Sequence, residues 1–284
     1  MKPLDMLAAL AVVVIWGANF VAAKLGTALI PPLAMTAVRF LLVAAILLPL
    51  YGLPRRSALG GVALLSVTLG VLHFGLIFVG VKGVDAATAA VAIQLTVPFS
   101  ALLAAVFFHD RLGWWRGLGM ALAFSGVALL AGEPTLPDLA PFLTLVAAAF
   151  FWAVSNVVIK RLRGIPPIAL NGWMALFAAP QLVLLSLIFE DGQLDALAGA
   201  GWVGWGAIAY TVLAASLIAY TMWYHLLARY DMNQVVPFTL LGPVIGIACG
   251  VLLLGETLNW HKVVGGVVTI AGVAVVQFAT RRPA

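Results

Sequence analysis

Charge is scarce in this sequence. Only 9% of its 284 residues are charged, whereas 64% are hydrophobic. A water-soluble domain of this length has no interior large enough to bury so much apolar surface, so the composition indicates a chain whose solvent is lipid. The 15 Lys and Arg exceed the 10 Asp and Glu, but they are too few and too scattered to form a phosphate-binding face. We therefore expect no nucleic-acid partner.

Residues that build metal sites and hydrolytic centres are also rare. The single cysteine, Cys249, lies in an apolar run and can form neither a disulfide nor a cysteine-based zinc site within one chain. The four histidines are scattered, and neither HExxH nor GxSxG occurs. The sequence predicts no enzyme, no metal site and no cofactor.

Long polar connections are missing as well. Ten apolar runs follow one another, each long enough to cross the ~30 Å hydrocarbon core as an α-helix. They cover approximately residues 4–23, 33–51, 59–80, 86–108, 112–131, 139–159, 168–189, 202–226, 232–254 and 260–279. Backbone groups in lipid must be satisfied internally, which favours helices for segments of this length. The prediction is an all-α integral membrane protein with ten transmembrane helices, the first retained rather than cleaved.

The chain contains an internal repeat. The shift that places Asp85 on Asp231 brings several similar residues into register, whereas Pro98 and Pro243 miss register by one residue. Further pairs are Phe74 and Tyr220, Phe78 and Tyr224, Asp110 and Glu256, Trp114 and Trp260, Gly119 and Gly265, and Gly126 and Gly272. Residues 1–132 and 133–284 are therefore predicted to be two five-helix units. Because five is odd, the units enter the membrane from opposite faces, and such an inverted repeat is common in transporters.

The distribution of Lys and Arg predicts the orientation. Most of these residues fall on the side that holds both termini: Lys2, Arg55, Arg56, Arg111, Arg116, Lys160, Arg161, Arg163, Arg229, Arg281 and Arg282. The opposite side has only Lys24, Lys82 and Lys262. Cytoplasmic loops carry an excess of positive charge, so both termini are expected in the cytoplasm.

Several short motifs resemble one known family. Gly255-Glu256-Thr257-Leu258, preceded by Gly242-Pro243, resembles the C-terminal signature of EamA-type units in the drug/metabolite transporter superfamily. His109-Asp110-Arg111-Leu112 is a divergent version of it, with Asp in place of Glu. Trp16-Gly17-Ala18-Asn19-Phe20 is similar to the family's opening motif, and Phe151-Trp152 with Asn156 repeats it. The resemblance implies a ten-helix exporter of small metabolites, commonly amino acids, with its cavity between the halves; no motif identifies the substrate subgroup.

Some of the repeated residues are better explained by packing than by transport. Asp110 and Glu256 lie at helix ends, where a carboxylate can cap the N-terminus of the following helix. Gly242, Gly246 and Gly250 form a ridge of small residues on helix nine, and we expect helix four to pack near it. The small residues predicted on helix four are Ser100, Ala101, Ala104 and Ala105. Pro98 and Pro243 interrupt backbone hydrogen bonds inside the membrane and are either hinges or static kinks.

Polar and aromatic residues at mid-depth are the candidates for a substrate cavity. They are Trp16, Asn19, His73, Phe74, Phe78, Gln94, Trp152, Asn156, Trp173, Tyr220, Trp223, Tyr224 and Gln234. Uncompensated polar groups facing lipid are costly, which favours a cavity. The alternative is that the tryptophans form interfacial belts and the amides bond neighbouring helices.

Arg39 is the only cation well inside a predicted span, about six residues or ~9 Å from the start of helix two. It either extends to the membrane surface or binds a substrate carboxylate. The sequence leaves both open.

The absence of Asp and Glu from the middle of every predicted span argues against a buried carboxylate proton relay. We therefore predict facilitative export of an amino acid or related metabolite by alternating access, from a bacterial-type inner membrane. The alternative is efflux of hydrophobic cations by proton antiport, in which His73 would be the group to titrate. Ten helices complete the pseudo-symmetric unit, so a monomer is expected, although a homodimer stays open.

Overall fold

Ten long apolar helices make up most of the part of the chain that the structure describes. The computed structural model describes residues 1–108, 113–132, 139–162, 164–230 and 232–279, and no strand occurs within these ranges. The helices are α1 Pro3–Leu29, α2 Pro32–Tyr51, α3 Arg56–Gly83, α4 Ala86–Phe107, α5 Trp114–Ala131, α6 Leu139–Arg161, α7 Pro167–Phe189, α8 Gly201–Arg229, α9 Val236–Leu254 and α10 Trp260–Ala279. Each is long and apolar enough to cross a membrane. The predicted fold class, an all-α protein with ten transmembrane helices, is confirmed.

Two of the helices change their winding in the middle. In α3 the segment Ser66–Gly75 is π-helical, and in α8 the segment Tyr210–Ile218 is π-helical. These segments occupy corresponding positions in the two halves. A π-helical turn widens the ring of backbone hydrogen bonds and rotates the side chains that follow it, and such turns are frequent at functional sites.

Two other helices tighten just before a proline. In α4 the 3₁₀ turn Ile93–Leu95 precedes Pro98, and in α9 the 3₁₀ segment Val236–Leu240 precedes Pro243. A proline ring clashes with the carbonyl group four residues earlier and donates no hydrogen bond. The carbonyls concerned lie in the tightened segments, which accounts for the local change of winding.

The repeated glycines bring α5 and α10 into backbone contact. A Cβ added at Gly119 would lie 2.8 Å from the carbonyl oxygen of Gly272, and one added at Gly265 would lie 2.8 Å from that of Gly126. The two contacts are equivalent, because the repeat pairs Gly119 with Gly265 and Gly126 with Gly272. Small residues at such spacing allow helices to approach closely in a membrane. The contact joins the last helix of one half to the last helix of the other.

The glycine ridge on α9 packs against a different part of α4 from the one expected. A side chain at Gly246 would collide with Ala90, and one at Gly250 would meet the Glu256 carboxylate and the backbone nitrogen of Ala87. The prediction that helix four meets the ridge through Ser100, Ala101, Ala104 and Ala105 is therefore wrong. These positions lie about three turns beyond Ala87 and Ala90 on α4. The sequence indicates the depth of each row of small residues in the membrane, but not which rows pack together. Gly242 adds little, since its nearest neighbour would lie 4.0 Å away.

The end of the bundle opposite the termini is closed by charged side chains. Lys262, which is 1% exposed, forms an ion pair with Asp85 and also donates to the carbonyl oxygen of Thr257 at 2.8 Å. Lys24 donates to three carbonyl oxygens at the end of α3, those of Val81, Lys82 and Val84. The ion pair ties α10 to the start of α4, and the Lys24 hydrogen bonds tie α1 to the end of α3.

Two carboxylates at this end cap helix N-termini. Glu256 accepts hydrogen bonds from the backbone nitrogens of Ala86 and Ala87 at 2.6 and 3.0 Å, so it caps α4. The expectation that it caps the following helix is therefore wrong, because the carboxylate reaches across to the other half. Glu190 caps α2 in the same way, accepting from the backbone nitrogens of Leu33 and Ala34 at 2.8 and 3.0 Å. Asp110 lies outside the described residues.

Candidate functional site

Aromatic side chains of α1 and α8 stack on one another at mid-depth. The ring of Trp16 lies 5.3 Å, centroid to centroid, from both Tyr220 and Trp223, and Tyr220 lies 5.7 Å from Tyr224. The indole nitrogen of Trp16 donates to the carbonyl oxygen of Ala215 at 3.3 Å, which fixes the ring against α8. These distances are those of aromatic pairs in contact.

A second aromatic group joins α3 to α6. The imidazole of His73 lies 4.7 Å from the rings of Phe74 and Trp152. Its Nδ1 lies 2.8 Å from the carbonyl oxygen of Ala148. A carbonyl oxygen only accepts, so Nδ1 carries a proton and the other ring nitrogen is left as an acceptor in the neutral imidazole.

Arg39 connects these two groups. Its Nε and Nη2 donate to the hydroxyl oxygen of Ser216 on α8 at 3.1 and 2.9 Å. The guanidinium carbon lies 4.6 Å above the ring of Phe74 and 5.6 Å from that of Phe78, both within cation–π range. Arg39 is 2% exposed, so its side chain does not extend to the membrane surface. The structure thus excludes one of the two alternatives.

We call the assembled set the central cluster. It draws side chains from helices of both halves, and every member was a predicted site residue. Its members are Trp16, Arg39, His73, Phe74, Phe78, Trp152, Tyr220, Trp223 and Tyr224. His73, Phe78 and Trp223 are buried, whereas Trp16, Tyr220 and Tyr224 are partly exposed.

Asn19 lies one turn beyond Trp16 on α1. Its side-chain oxygen is buried and accepts no hydrogen bond from the residues that the structure describes. A buried amide oxygen without a donor is rare in folded proteins, because desolvating it costs free energy that a partner normally offsets. Together with the Nη1 of Arg39, which also lacks a partner, it leaves one acceptor and one donor unsatisfied.

Four predicted site residues lie apart from this cluster. The indole nitrogen of Trp173 donates to the carbonyl oxygen of Gly52 at 2.8 Å, at the end of the bundle that holds the termini. There it lines a cavity of about 500 Å³ together with Arg55 and Arg161. The three amides are dispersed: Asn156 donates to Ser100 at 3.2 Å, Gln94 lies on the 3₁₀ turn of α4, and Gln234 is exposed before α9 begins.

Two polar residues of the site were not predicted. Ser216 accepts from Arg39 and donates to the carbonyl oxygen of Thr211 at 2.7 Å, and Asn171 on α7 donates to the carbonyl oxygen of Ser216 at 3.2 Å. Ser216 precedes Tyr220 by one helical turn. That spacing was the one signal in the sequence, since a single serine among alanines and leucines gives no other pattern.

Comparison with known proteins identifies the family. The model of the EamA-like transporter family matches residues 4–132 and 139–278. The chain belongs to this family. Its membership in the drug/metabolite transporter superfamily, predicted from the motifs, is confirmed, and so is the prediction of a transporter rather than an enzyme.

Curated relatives and a solved structure match the chain almost end to end. A "Probable amino-acid metabolite efflux pump" of Salmonella typhimurium is 34% identical over 98% of this chain and 96% of its own length. A protein of the same description from Escherichia coli K12 is 30% identical over the same shares. A solved crystal structure has a TM-score of 0.64 and 19% identity, with 99% of each chain covered, and supports the fold alone.

Proposed function

We propose that this EamA-like transporter exports amino acids or related small metabolites across a bacterial inner membrane. Its substrate would bind between the two five-helix halves, residues 1–132 and 133–284, and would reach either side by alternating access. Both termini would lie in the cytoplasm, where most of the Lys and Arg residues then fall. The two relatives described as amino-acid metabolite efflux pumps support the substrate class.

The central cluster is the observation that carries this proposal. Helices α1, α2 and α3 of the first half supply Trp16, Arg39 and His73, and helices α6 and α8 of the second supply Trp152 and Tyr220. Polar groups at this depth are expensive unless they face protein or a cavity. A group of mixed aromatic and polar side chains, contributed by both halves, suits a small molecule with an apolar part and a charged part.

The closed end of the bundle is consistent with alternating access. The ion pair between Lys262 and Asp85 and the cap that Glu256 places on α4 hold the halves together at the end opposite the termini. If the termini are cytoplasmic, this conformation is closed to the outside. Outward release then requires that these contacts separate.

The positions of the charged side chains support facilitative transport rather than proton antiport. The carboxylates that the structure describes lie at helix ends or between the spans, so none is placed at mid-depth to carry a proton. A buried cation, Arg39, is a poor neighbour for a hydrophobic cationic drug, since like charges repel strongly in a medium of low dielectric constant.

Flux into liposomes tests the proposal. The purified protein would be reconstituted, and uptake of labelled threonine, methionine, phenylalanine and a cationic dye would be followed with and without an imposed pH gradient. We expect saturable amino-acid flux that needs no gradient. Dye flux that requires a gradient would refute both the substrate class and the mechanism, and absence of any amino-acid flux would refute the substrate class.

A further inference from the structure

A buried arginine in the central cluster has no counter-ion. Among the residues that the structure describes, no carboxylate pairs with Arg39, and its hydrogen bonds all go to one neutral hydroxyl, that of Ser216. Its Nη1 is buried without a partner. Removing an ion from water costs more free energy, even after relaxation, than a desolvated cation–π contact contributes. The phenylalanine rings therefore compensate the charge only in part.

Ser216 sets the direction of the guanidinium. Its own proton is used in the hydrogen bond to Thr211, so its oxygen presents lone pairs to Nε and Nη2 of Arg39. Thr211 lies five residues earlier, within the π-helical segment of α8. The Nη1 side of the guanidinium is thereby left for another acceptor. A carboxylate is the group that matches it in charge and in fork geometry.

A matching acceptor lies on α1. The unpartnered oxygen of Asn19 is one turn from Trp16, and Trp16 contacts Tyr220, which follows Ser216 by one turn on α8. An ammonium group is bound well by aromatic faces and by amide oxygens. One unsatisfied donor and one unsatisfied acceptor, on helices that also carry the stacked rings of Trp16 and Tyr220, are complementary in charge to the two ends of a zwitterion.

We propose that Arg39 receives the α-carboxylate of the substrate and that Asn19, with the rings of Trp16 and Tyr220, receives its ammonium group. The inference rests on the proposed function and narrows it to zwitterionic amino acids. The substrate supplies the counter-ion that Arg39 lacks, so a carboxylate is required and an amine alone is a poor ligand.

Four related ligands test the carboxylate requirement on the unmodified protein. They are L-methionine, 4-(methylthio)butanoate without the amine, 3-(methylthio)propylamine without the carboxylate, and L-methioninamide. Equilibrium binding to the detergent-purified full chain would be measured for each. We expect methionine to bind most tightly, the butanoate to follow, and both compounds without a carboxylate to bind at least about 100-fold more weakly, as for an unpaired buried charge.

Substitutions at two positions separate the subsites. Arg39→Met should abolish discrimination between methionine and methioninamide, and Arg39→Lys should keep part of it, because lysine retains the charge but not the fork. Asn19→Leu should lower the affinity for methionine by about tenfold and leave the affinity for 4-(methylthio)butanoate unchanged. Arg56→Met, at an exposed arginine outside the cluster, is the matched control and should bind like the unmodified protein.

The outcomes distinguish this inference from the exporter proposal. Equal affinity for methionine and methioninamide in the unmodified protein would overturn the role of Arg39 while leaving amino-acid export intact. Binding of none of the four ligands, together with absence of amino-acid flux, would overturn both. If Arg39→Met fails to fold, the ligand series on the unmodified protein still decides the question.

Discussion

The two halves of the protein share a packing arrangement but differ in chemistry at two pairs of corresponding positions that meet one another. The shift that places Pro32 on Pro167 places Arg39 on Met174, and the shift that relates α3 to α8 places Gly70 on Ser216. Where α2 meets α8, Arg39 hydrogen-bonds to Ser216; where α7 meets α3, the sulfur of Met174 lies 3.1 Å from where a Cβ of Gly70 would be. The two helix pairs pack in the same way, but only the contact between α2 and α8 contains a charged side chain.

We expect this difference to mark where a substrate is recognised in a chain with an internal sequence repeat. Helix packing constrains both copies equally, because each must fill the same space between α2 and α8 or between α7 and α3. A substrate is not symmetric, so the polar groups that recognise it need to be present only once. The repeated aromatic residues then line the site from both halves, and a departure from the repeat such as Arg39 supplies the group that is needed once.

Where the halves are equivalent, matched substitutions should have equal and large effects. Gly126→Ala and Gly272→Ala each place a methyl group against the backbone of the facing helix, and we expect a loss of more than about 2 kcal/mol in the free energy of unfolding. Gly117→Ala on α5 meets nothing within 4 Å and should be neutral or stabilising by up to about 1 kcal/mol. Equilibrium unfolding in mixed detergent micelles measures all three. Unequal losses at Gly126 and Gly272 would break the equivalence.

Lys262 and Arg116 occupy corresponding positions on α10 and α5, but only Lys262 should contribute strongly to stability. Lys262→Met removes a buried partner of Asp85 and should cost about 2 kcal/mol, less than a fully buried pair because the Asp85 side chain is 38% exposed. Arg116, at the corresponding position on α5, is partly exposed, and Arg116→Met should cost less than about 0.5 kcal/mol. The same unfolding measurement compares them. Similar costs would show that the closing contact is not specific to one end.

Substitution of the small residue should have different effects at the two helix contacts, Ser216 where α2 meets α8 and Gly70 where α7 meets α3. Ser216→Ala removes the hydroxyl acceptor of Arg39 and should cost about 1–2 kcal/mol in stability and weaken methionine binding. Gly70→Ala crowds Ala178 and Met174 and should cost about 1–2 kcal/mol without changing the affinity for methionine. Binding and unfolding measured on the same samples separate the two. A drop in affinity for Gly70→Ala would contradict the asymmetry.

The smallest effect concerns the starts of α2 and α7. Glu190 caps α2, and the corresponding position beside α7 is occupied by Arg55. Glu190→Ala should cost about 1 kcal/mol, and Arg55→Glu should stabilise by up to about 1 kcal/mol, because a carboxylate suits a helix N-terminus and a cation does not. Thermal unfolding of the two variants checks both signs. If Arg55→Glu lowered the stability instead, Arg55 would have to make a stabilising contact that outweighs its unfavourable charge beside the N-terminus of α7.

The sequence predicted the number, order and approximate depth of the helices, since long apolar runs in lipid permit one structure. It also predicted nine members of the central cluster, because polar and aromatic residues at mid-depth stand out against an apolar background. It did not predict which face each helix presents: with apolar residues on every side, periodicity does not fix the rotation of a helix. For this reason Ala87 and Ala90 were missed as partners of the α9 ridge, and Trp173 was expected too close to the cluster. The π-helical segments, which orient Ser216, also have no signature in composition.

The backbone contact between α5 and α10 limits how the transporter can move. Helices separated by side chains can slide by exchanging rotamers, but at Gly119 and Gly272, and again at Gly126 and Gly265, there are no side chains to rearrange. Any relative shift along this crossing would have to lift one helix off the other. We therefore expect the pair to move as one unit, and the opening that admits a substrate to form through movement of the other eight helices.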